Sequence, residues 1–506
     1  DEFFQILDAE PEWLTGLVYG PHIRISLPEL AERAPDRYPI RRYPDITHSM
    51  QSQYAVPDWD LAYHLTEGRE SINPRPTQQA VIFHHYEKYA MGVLTYSEGC
   101  NDDVNKAVWS GLSWDPDEPV LEILRDYARY YIGPDYTDTF AQGLLGLERN
   151  WVGPLRTNEG VYTTLQAFQE MESGASPPVL LNWRFQMALY RAYYDAFVRS
   201  RLLYETGLEE LAMTHLRRAK QVGSFEAMDR AMKSLNRTLW EPVSTDWRTR
   251  LFQLAEGLFQ SIRMQLSVDL YRATQTIRGG NLDNVDVPLN NRLWLQQQFE
   301  EIRKLENEDE RQEQIAALAS WTNPGPGGYY DDLGNLTGQP HLVPGPGFEK
   351  DPDFLRSALV GAMDPSMPYR FYVRFPEEVR HLHLRTSWKS HAISLNDQPL
   401  KLRYRDLDPN AAYRVRVTYV ARYPAEGTPG AELTAPPVRL LADGEHEVHP
   451  LLGRPFPIGP QEFDVPRAAT ADGELELTCQ PKLGVGGFER GCRMSEVWLI
   501  RKPSGD

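Results

Sequence analysis

The sequence predicts a multidomain fold, α/β then all-α then all-β: the C-terminal part of a (β/α)8 barrel, a helical bundle and a C-terminal β-sandwich. Three observations carry this expectation. Strands and helices alternate at the start, apolar residues recur at helical spacing through the middle, and period-two alternation between Gly/Pro/Asp turns follows Arg370. With 506 residues, 41% hydrophobic and 11% aromatic, the chain has the length and apolar content for two or three domains with real cores. We divide it into a partial barrel over 1–117, a bundle over 118–320, a Gly/Pro-rich connection over 321–368 and a β-sandwich over 369–506.

In the first part, Leu17-Val18-Tyr19-Gly20-Pro21-His22 reads as a strand with a polar tip, and Tyr38 to His48 as a second. Thr77 to Tyr89 reads as a helix, Gly92 to Tyr96 as a third strand, and Asn105 to Leu112 as the helix after it. About three such units fit, where a closed barrel needs about eight. In the second part, Trp183, Met187, Tyr190, Tyr194 and Phe197 form one apolar stripe, and Leu251, Leu254, Leu258, Ile262, Leu266 and Leu270 another. Both are seams of a bundle rather than cofactor sites. Glu300 to Gln314 is charged almost all round and reads as a solvated helix.

Asn323-Pro324-Gly325-Pro326-Gly327-Gly328-Tyr329-Tyr330-Asp331-Asp332-Leu333-Gly334-Asn335 is expected to be irregular, serving either as a linker or as a rim of the site. Strands are then expected at Phe371–Phe375, Tyr413–Val420, Glu474–Thr478 and Glu496–Ile500. Cys479 and Cys492 flank the Gly-rich stretch Leu483 to Gly491; a disulfide, which would mark an exported protein, and two buried thiols are both open. Cys100 reads as packing.

The net charge of −18 argues against a nucleic-acid partner. No run approaches the roughly 20 apolar residues of a membrane span. The sequence opens at Asp1 with neither Met nor a signal peptide, as a processed protein or an excised piece would. A homodimer is an open alternative. Walker, GxSxG, HExxH and dinucleotide patterns are all missing, so we expect no cofactor and no metal, and hydrolysis by carboxylates is the best chemical fit.

The candidate chemistry gathers at Thr95-Tyr96-Ser97-Glu98-Gly99-Cys100-Asn101-Asp102-Asp103-Val104-Asn105-Lys106, where a β-type run delivers three carboxylates within six residues. Acids at the C-terminal tip of a buried strand are where a barrel enzyme keeps its chemistry. Helix capping, with Asp103 and Lys106 paired across one turn, accounts for part of Asn101-Asp102-Asp103 but not for Glu98. Glycosidic cleavage needs two carboxyl groups, about 5–5.5 Å apart for retention and about 6.5–9.5 Å for inversion. Glu98, Asp45 and Asp103 are the catalytic candidates. His22, Arg42, His48, Asp102, Tyr96 and Tyr329 are the substrate-binding ones, with Arg41, His84 and His85 nearby in sequence. An Arg at a strand end suits a uronic-acid carboxylate. A metal site from His22, Asp45 and His48 matches no recognised ligand spacing.

Tyr96-Ser97-Glu98-Gly99, Asn101 to Lys106 and Leu112-Ser113-Trp114-Asp115-Pro116-Asp117 resemble the last barrel strand and following helix of certain glycoside hydrolases. Leu121 to Gly133, with Tyr127, Tyr130 and Tyr131, is similar to their transition into a helical domain. The families are the α-glucuronidases acting on xylan side chains and related bacterial barrel proteins. The resemblance is specific over Tyr89 to Gly133 and architectural beyond it. It implies a bacterial, periplasmic or secreted hydrolase with a carbohydrate substrate, and it carries over Glu98 as an active-site acid. Most of a barrel is missing from the chain. The alternative is a non-catalytic carbohydrate-binding or scaffold protein, with the acids tied up in salt bridges or caps.

Overall fold

The computed structural model describes residues 2–21, 23, 25–276, 278–362, 383–420, 436–453, 458–484 and 491–503. The candidate His22 and the expected strand Phe371–Phe375 lie outside these residues. The described chain is a mixed assembly of helices, one small parallel sheet and two largely antiparallel sheets.

The parallel sheet consists of β1 (Leu17–Tyr19), β2 (Ile40–Arg42) and β3 (Gly92–Val93), in that order. Both β1 and β2 turn their first and third residues inward. The expected strand Tyr38–His48 is therefore only three residues long. Pro39 and Pro44 bracket it, and neither can donate to a ladder. Beyond β3, Leu94 donates to the Arg42 carbonyl and Tyr96 to the Pro44 carbonyl, and a parallel bridge sets Asp45 beside Tyr96. This continuation brings the two loop tips together. Val18, Met91 and Leu94 are exposed along this small sheet.

Helices dominate from Asp103 to Ala319. The longest, Trp183–Leu216, runs 34 residues and buries Met187, Tyr190, Tyr194 and Phe197 of the first stripe. The second stripe breaks. Helix Thr245–Ile262 buries Leu251, Leu254 and Leu258, then Arg263 turns left-handed, and Leu270 falls in a separate turn where it is exposed. The charged stretch 300–314 also divides, between helices Arg292–Ile302 and Glu308–Ala319, with Asn307 capping the second. One apolar core takes in residues from Leu7 to Val198 and from Leu251 to Leu289, so the parallel sheet and the first helices pack together. No helix among the described residues is long and apolar enough to cross a membrane.

The remaining strands are β4 (Tyr329–Asp332), β5 (Leu359–Ala362), β6 (Ser390–Ile393), β7 (Leu400–Tyr404), β8 (Tyr413–Tyr419), β9 (Val438–Ala442), β10 (His446–Leu452), β11 (Gln461–Asp464), β12 (Leu475–Pro481) and β13 (Arg493–Arg501). One sheet has the order β10-β9-β12-β7; the other has β11-β8-β13-β6-β5, with β4 also paired to β13. Apolar residues of both sheets, including Leu402, Val417, Leu440, Leu477 and Val497, enter one core. Tyr329–Asp332 was expected to be irregular and instead forms β4, in antiparallel register with Glu496–Leu499. Gly328 permits this approach, since a Cβ there would meet the Leu499 carbonyl oxygen at 2.6 Å.

Candidate functional site

Three segments after the parallel strands, 45–49, 68–73 and 96–102, are stitched by buried side chains. Asn101 donates to the carbonyls of Thr47 and Ser71, and Asn105 to those of Ile46 and Asn73. Asn73 donates to the Thr47 carbonyl. Ser49 donates from Oγ to Gly68 and from its backbone to Arg69, which sets Glu70 beside His48. Asp102 occupies the N-cap position of helix Asp103–Trp114, but its side chain does not cap. It accepts instead from Thr47, Ser97 and Lys106. The expected Asp103–Lys106 pair does not form: Lys106 pairs with Asp102, one residue earlier.

His48 is the centre of the arrangement. Its ring is 1% exposed, and Nδ1 lies 2.7 Å from Asp45 Oδ2. Asp45 Oδ1 also accepts from the amides of Thr47 and His48, a local turn that fixes the carboxylate. The Tyr96 ring stacks on the imidazole with centroids 5.8 Å apart. Nε2 points at Glu70 Oε1, 3.4 Å away, and Glu98 Oε2, 3.6 Å away. The Tyr96 hydroxyl donates to Glu98 Oε1, and the Glu98 amide donates to Thr47 Oγ1. Arg278 Nη1 reaches both acids, at 3.1 Å from Glu70 and 3.4 Å from Glu98, and Arg69 Nη1 lies 3.5 Å from Glu70.

Arg278 arrives on a turn that only glycine allows. Gly279 has φ +83°, and a Cβ on Gly280 would meet the Gln275 carbonyl oxygen at 2.7 Å. A buried network holds this turn against the Glu70 segment. Arg191 pairs with Glu67 at 2.9 Å and with Asp195, and Asn281 donates to the other Glu67 oxygen at 2.7 Å. The Tyr194 hydroxyl bonds to both the Thr66 and Asn281 carbonyls.

These contacts set the protonation of the group. Burial pushes the Asp45 carboxyl up, but the His48 bond and charge and the Thr47 amide outweigh it, leaving it below the usual carboxylate range. Burial pulls His48 down, but its bond to Asp45 and the Glu70 carboxylate facing Nε2 outweigh it and leave it raised. Burial also pushes Glu98 up, yet the Tyr96 hydroxyl, Glu70, His48 and Arg278 together hold it below its ordinary value. Glu98 is thus an ionised carboxylate near neutral pH, suited to attack, proton abstraction or ligation rather than to proton donation.

Several sequence candidates stand elsewhere. Arg42 is 1% exposed, with its guanidinium on the Tyr54 hydroxyl and the Phe83 carbonyl and over the Tyr86 and Trp109 rings. The inward third position of β2 puts it in the core, away from any substrate carboxylate. Asp103 is held by Arg184 at 2.8 Å and by the Tyr127 hydroxyl at 2.7 Å, which removes it from the group around Glu98. Asp102 is fully buried and binds the loops rather than a ligand. Tyr329 belongs to β4, donates to the Arg405 carbonyl and packs on His341 and Tyr404. Asp45 and His48 are neighbours, but Asp45 bonds to the ring instead of sharing a metal site with it. Glu70 and Arg278 join this group without being among the sequence candidates. The only local signs of them are Gly68 ahead of Arg69-Glu70 and the paired glycines after Arg278.

No protein-family model and no curated protein matches the chain. Among solved structures it is similar to a novel family GH115 4-O-methyl-α-glucuronidase with specificity for decorated arabinogalactans, at 12% identity and a TM-score of 0.30. The likeness covers 99% of this chain and 57% of that one, so the chain spans little more than half of that enzyme's length. At that score it bears on neither the site nor its chemistry.

Proposed function

We propose that the chain hydrolyses a glycosidic bond at the group formed by His48, Glu70 and Glu98. The observation that carries this reading is the convergence of two carboxylates and a carboxylate-oriented imidazole on one spot, with Glu98 partly open to solvent. Such a group can move protons and stabilise a developing cation, as cleavage between sugars requires. Glu98 is the ionised partner and Glu70, rather than Asp45 or Asp103, the second carboxyl. The sugar substrate rests on the sequence resemblance around Tyr96 to Asp117, and the parallel unit is read as part of a (β/α) barrel.

Glu98→Gln tests the reading. Oligosaccharide release from a panel of plant and microbial polysaccharides is expected from the unmodified chain and to fall at least a thousandfold in the variant, with an unchanged circular dichroism spectrum. Equal release from both proteins would refute it. A second reading, non-catalytic sugar binding, draws on Arg278 lying across both carboxylates. It predicts no release, with retention on a sugar column that survives Glu98→Gln.

A further inference from the structure

Hydrolysis by a carboxylate pair leaves one feature of the group unused. His48 Nε2 is buried without a hydrogen-bond partner, and the buried Glu70 Oε1 is met only by the ion pairs to Arg278 and Arg69. Nε2 faces Glu70 Oε1 and Glu98 Oε2 at 3.4 and 3.6 Å without hydrogen-bond geometry, and these three atoms all lie within 4.8 Å of one another. Two ligands about 2.1 Å from one cation at tetrahedral angles stand about 3.4 Å apart. The spacing already fits. On the far side of the ring, Asp45 holds Nδ1, the arrangement by which a buried carboxylate fixes the tautomer of a metal-binding imidazole.

We propose that His48 Nε2, Glu70 and Glu98 bind one divalent transition-series cation, of the Mn2+ or Zn2+ kind. One imidazole with two carboxylates is softer than an all-oxygen Ca2+ cage and harder than a thiolate site. Three protein ligands leave positions for water and for sugar oxygens. The inference rests on the reading of this group as the working centre. Arg278 competes with the cation, since Nη1 sits on the same two oxygens. Its side chain is 28% exposed, so a cation taking these oxygens would displace it toward solvent.

The test is calorimetric titration of the full chain with Mn2+ and with Zn2+, after dialysis against EDTA and removal of the chelator. One equivalent is expected for at least one of the two. Affinity should drop at least tenfold in the near-isosteric Glu70→Gln and Glu98→Gln and in His48→Gln, each checked for folding by circular dichroism. It should rise several-fold in Arg278→Ala, where the competing charge is gone. No binding by either the unmodified chain or Arg278→Ala overturns the proposal, as does binding that all three ligand variants leave unchanged. Sugar release assayed on the EDTA-treated protein separates the two readings. Release from a protein that binds no equivalent of either ion overturns the cation and leaves hydrolysis standing; one bound equivalent without release from any substrate supports the cation and removes hydrolysis.

Discussion

Asp45 meets no substrate in this arrangement; its two oxygens are engaged by His48 and by two backbone amides. Under the proposed hydrolysis it would be a positioning residue, and Asp45→Asn should behave as one. The amide keeps the shape but loses the charge and the obligate acceptor for Nδ1–H, so the ring is free to take the other tautomer. We expect the maximal rate to fall about 10–100-fold with little change in KM, and the far-downfield Nδ1 proton resonance of His48 to disappear. A normal rate with the resonance intact would show that a neutral amide oxygen holds the ring as well as the carboxylate does. At this scale the sequence told most about residues next to strand ends. Asp45, His48, Tyr96 and Glu98 all follow β2 or β3, and their proximity follows from the parallel pairing of those strands. Arg278 stands 180 residues from Glu98, in a stretch whose apolar period marks it only as bundle. Arg42 was misplaced for a related reason. Alternation identifies two faces of a strand, and a buried Arg stacked on aromatic rings breaks the rule that the charged face is the wet one.

Loops of this kind are fixed by the polar groups they bury. Asn105 lies on the first turns of helix Asp103–Trp114, where it accepts from the Arg75 amide and donates to the carbonyls of Ile46 and Asn73. Asn105→Ala leaves these groups without partners in a dry interior, at a cost of about 1–3 kcal/mol for each buried group. Chemical denaturation should show a loss at the upper end of that range, accompanied by loss of ordering around Glu70. A loss under about 0.5 kcal/mol, the scale of an ordinary surface change, would mean that the loops are held by their apolar neighbours instead. Arg191 acts over a longer span of chain. It is 1% exposed between Glu67 and Asp195, so Arg191→Met strands two buried acids and should cost about 3–5 kcal/mol. Helix periodicity made the seams of Met187, Tyr190, Tyr194 and Leu254 legible, because burial of one face is what the period records. The break at Arg263 and the β4 pairing were not legible. The first depends on a left-handed residue with no glycine signature, and the second on a partner strand about 165 residues away in sequence.

Across the whole molecule the helices and the C-terminal sheets meet at Glu496, which is fully buried on β13. It accepts from Trp388 Nε1 at 2.6 Å, Ser387 Oγ at 2.7 Å, the Tyr330 hydroxyl at 2.8 Å, and Arg385 Nε and Trp321 Nε1 at 3.2 Å each. Trp321, just after the last helix, packs edge-on against Trp294 of helix Arg292–Ile302, so this one carboxylate gathers donors from both parts of the chain. Directly across the β4–β13 ladder stands Asp332. Like charges opposed in that way repel. Burial first, and the charge of Glu496 second, push the Asp332 carboxyl up to about 7. The sign of the consequence is fixed by linkage. Below about pH 4 both folded and unfolded chains hold this proton; between there and about 7 only the folded chain does, so its contribution to stability is lost as pH rises through that interval. Asp332→Asn never has to carry the charge. Its stability relative to the unmodified chain should therefore increase between pH 5 and pH 8, by about 2–3 kcal/mol at about 1.36 kcal/mol per unit. Urea denaturation of both proteins at the two pH values measures the difference directly. The other groups that titrate in the same interval, Glu67 among them, are common to both proteins and cancel. A difference that stays constant with pH would show that Asp332 is ionised throughout and that Glu496, ringed by five donors, is too well screened to oppose it.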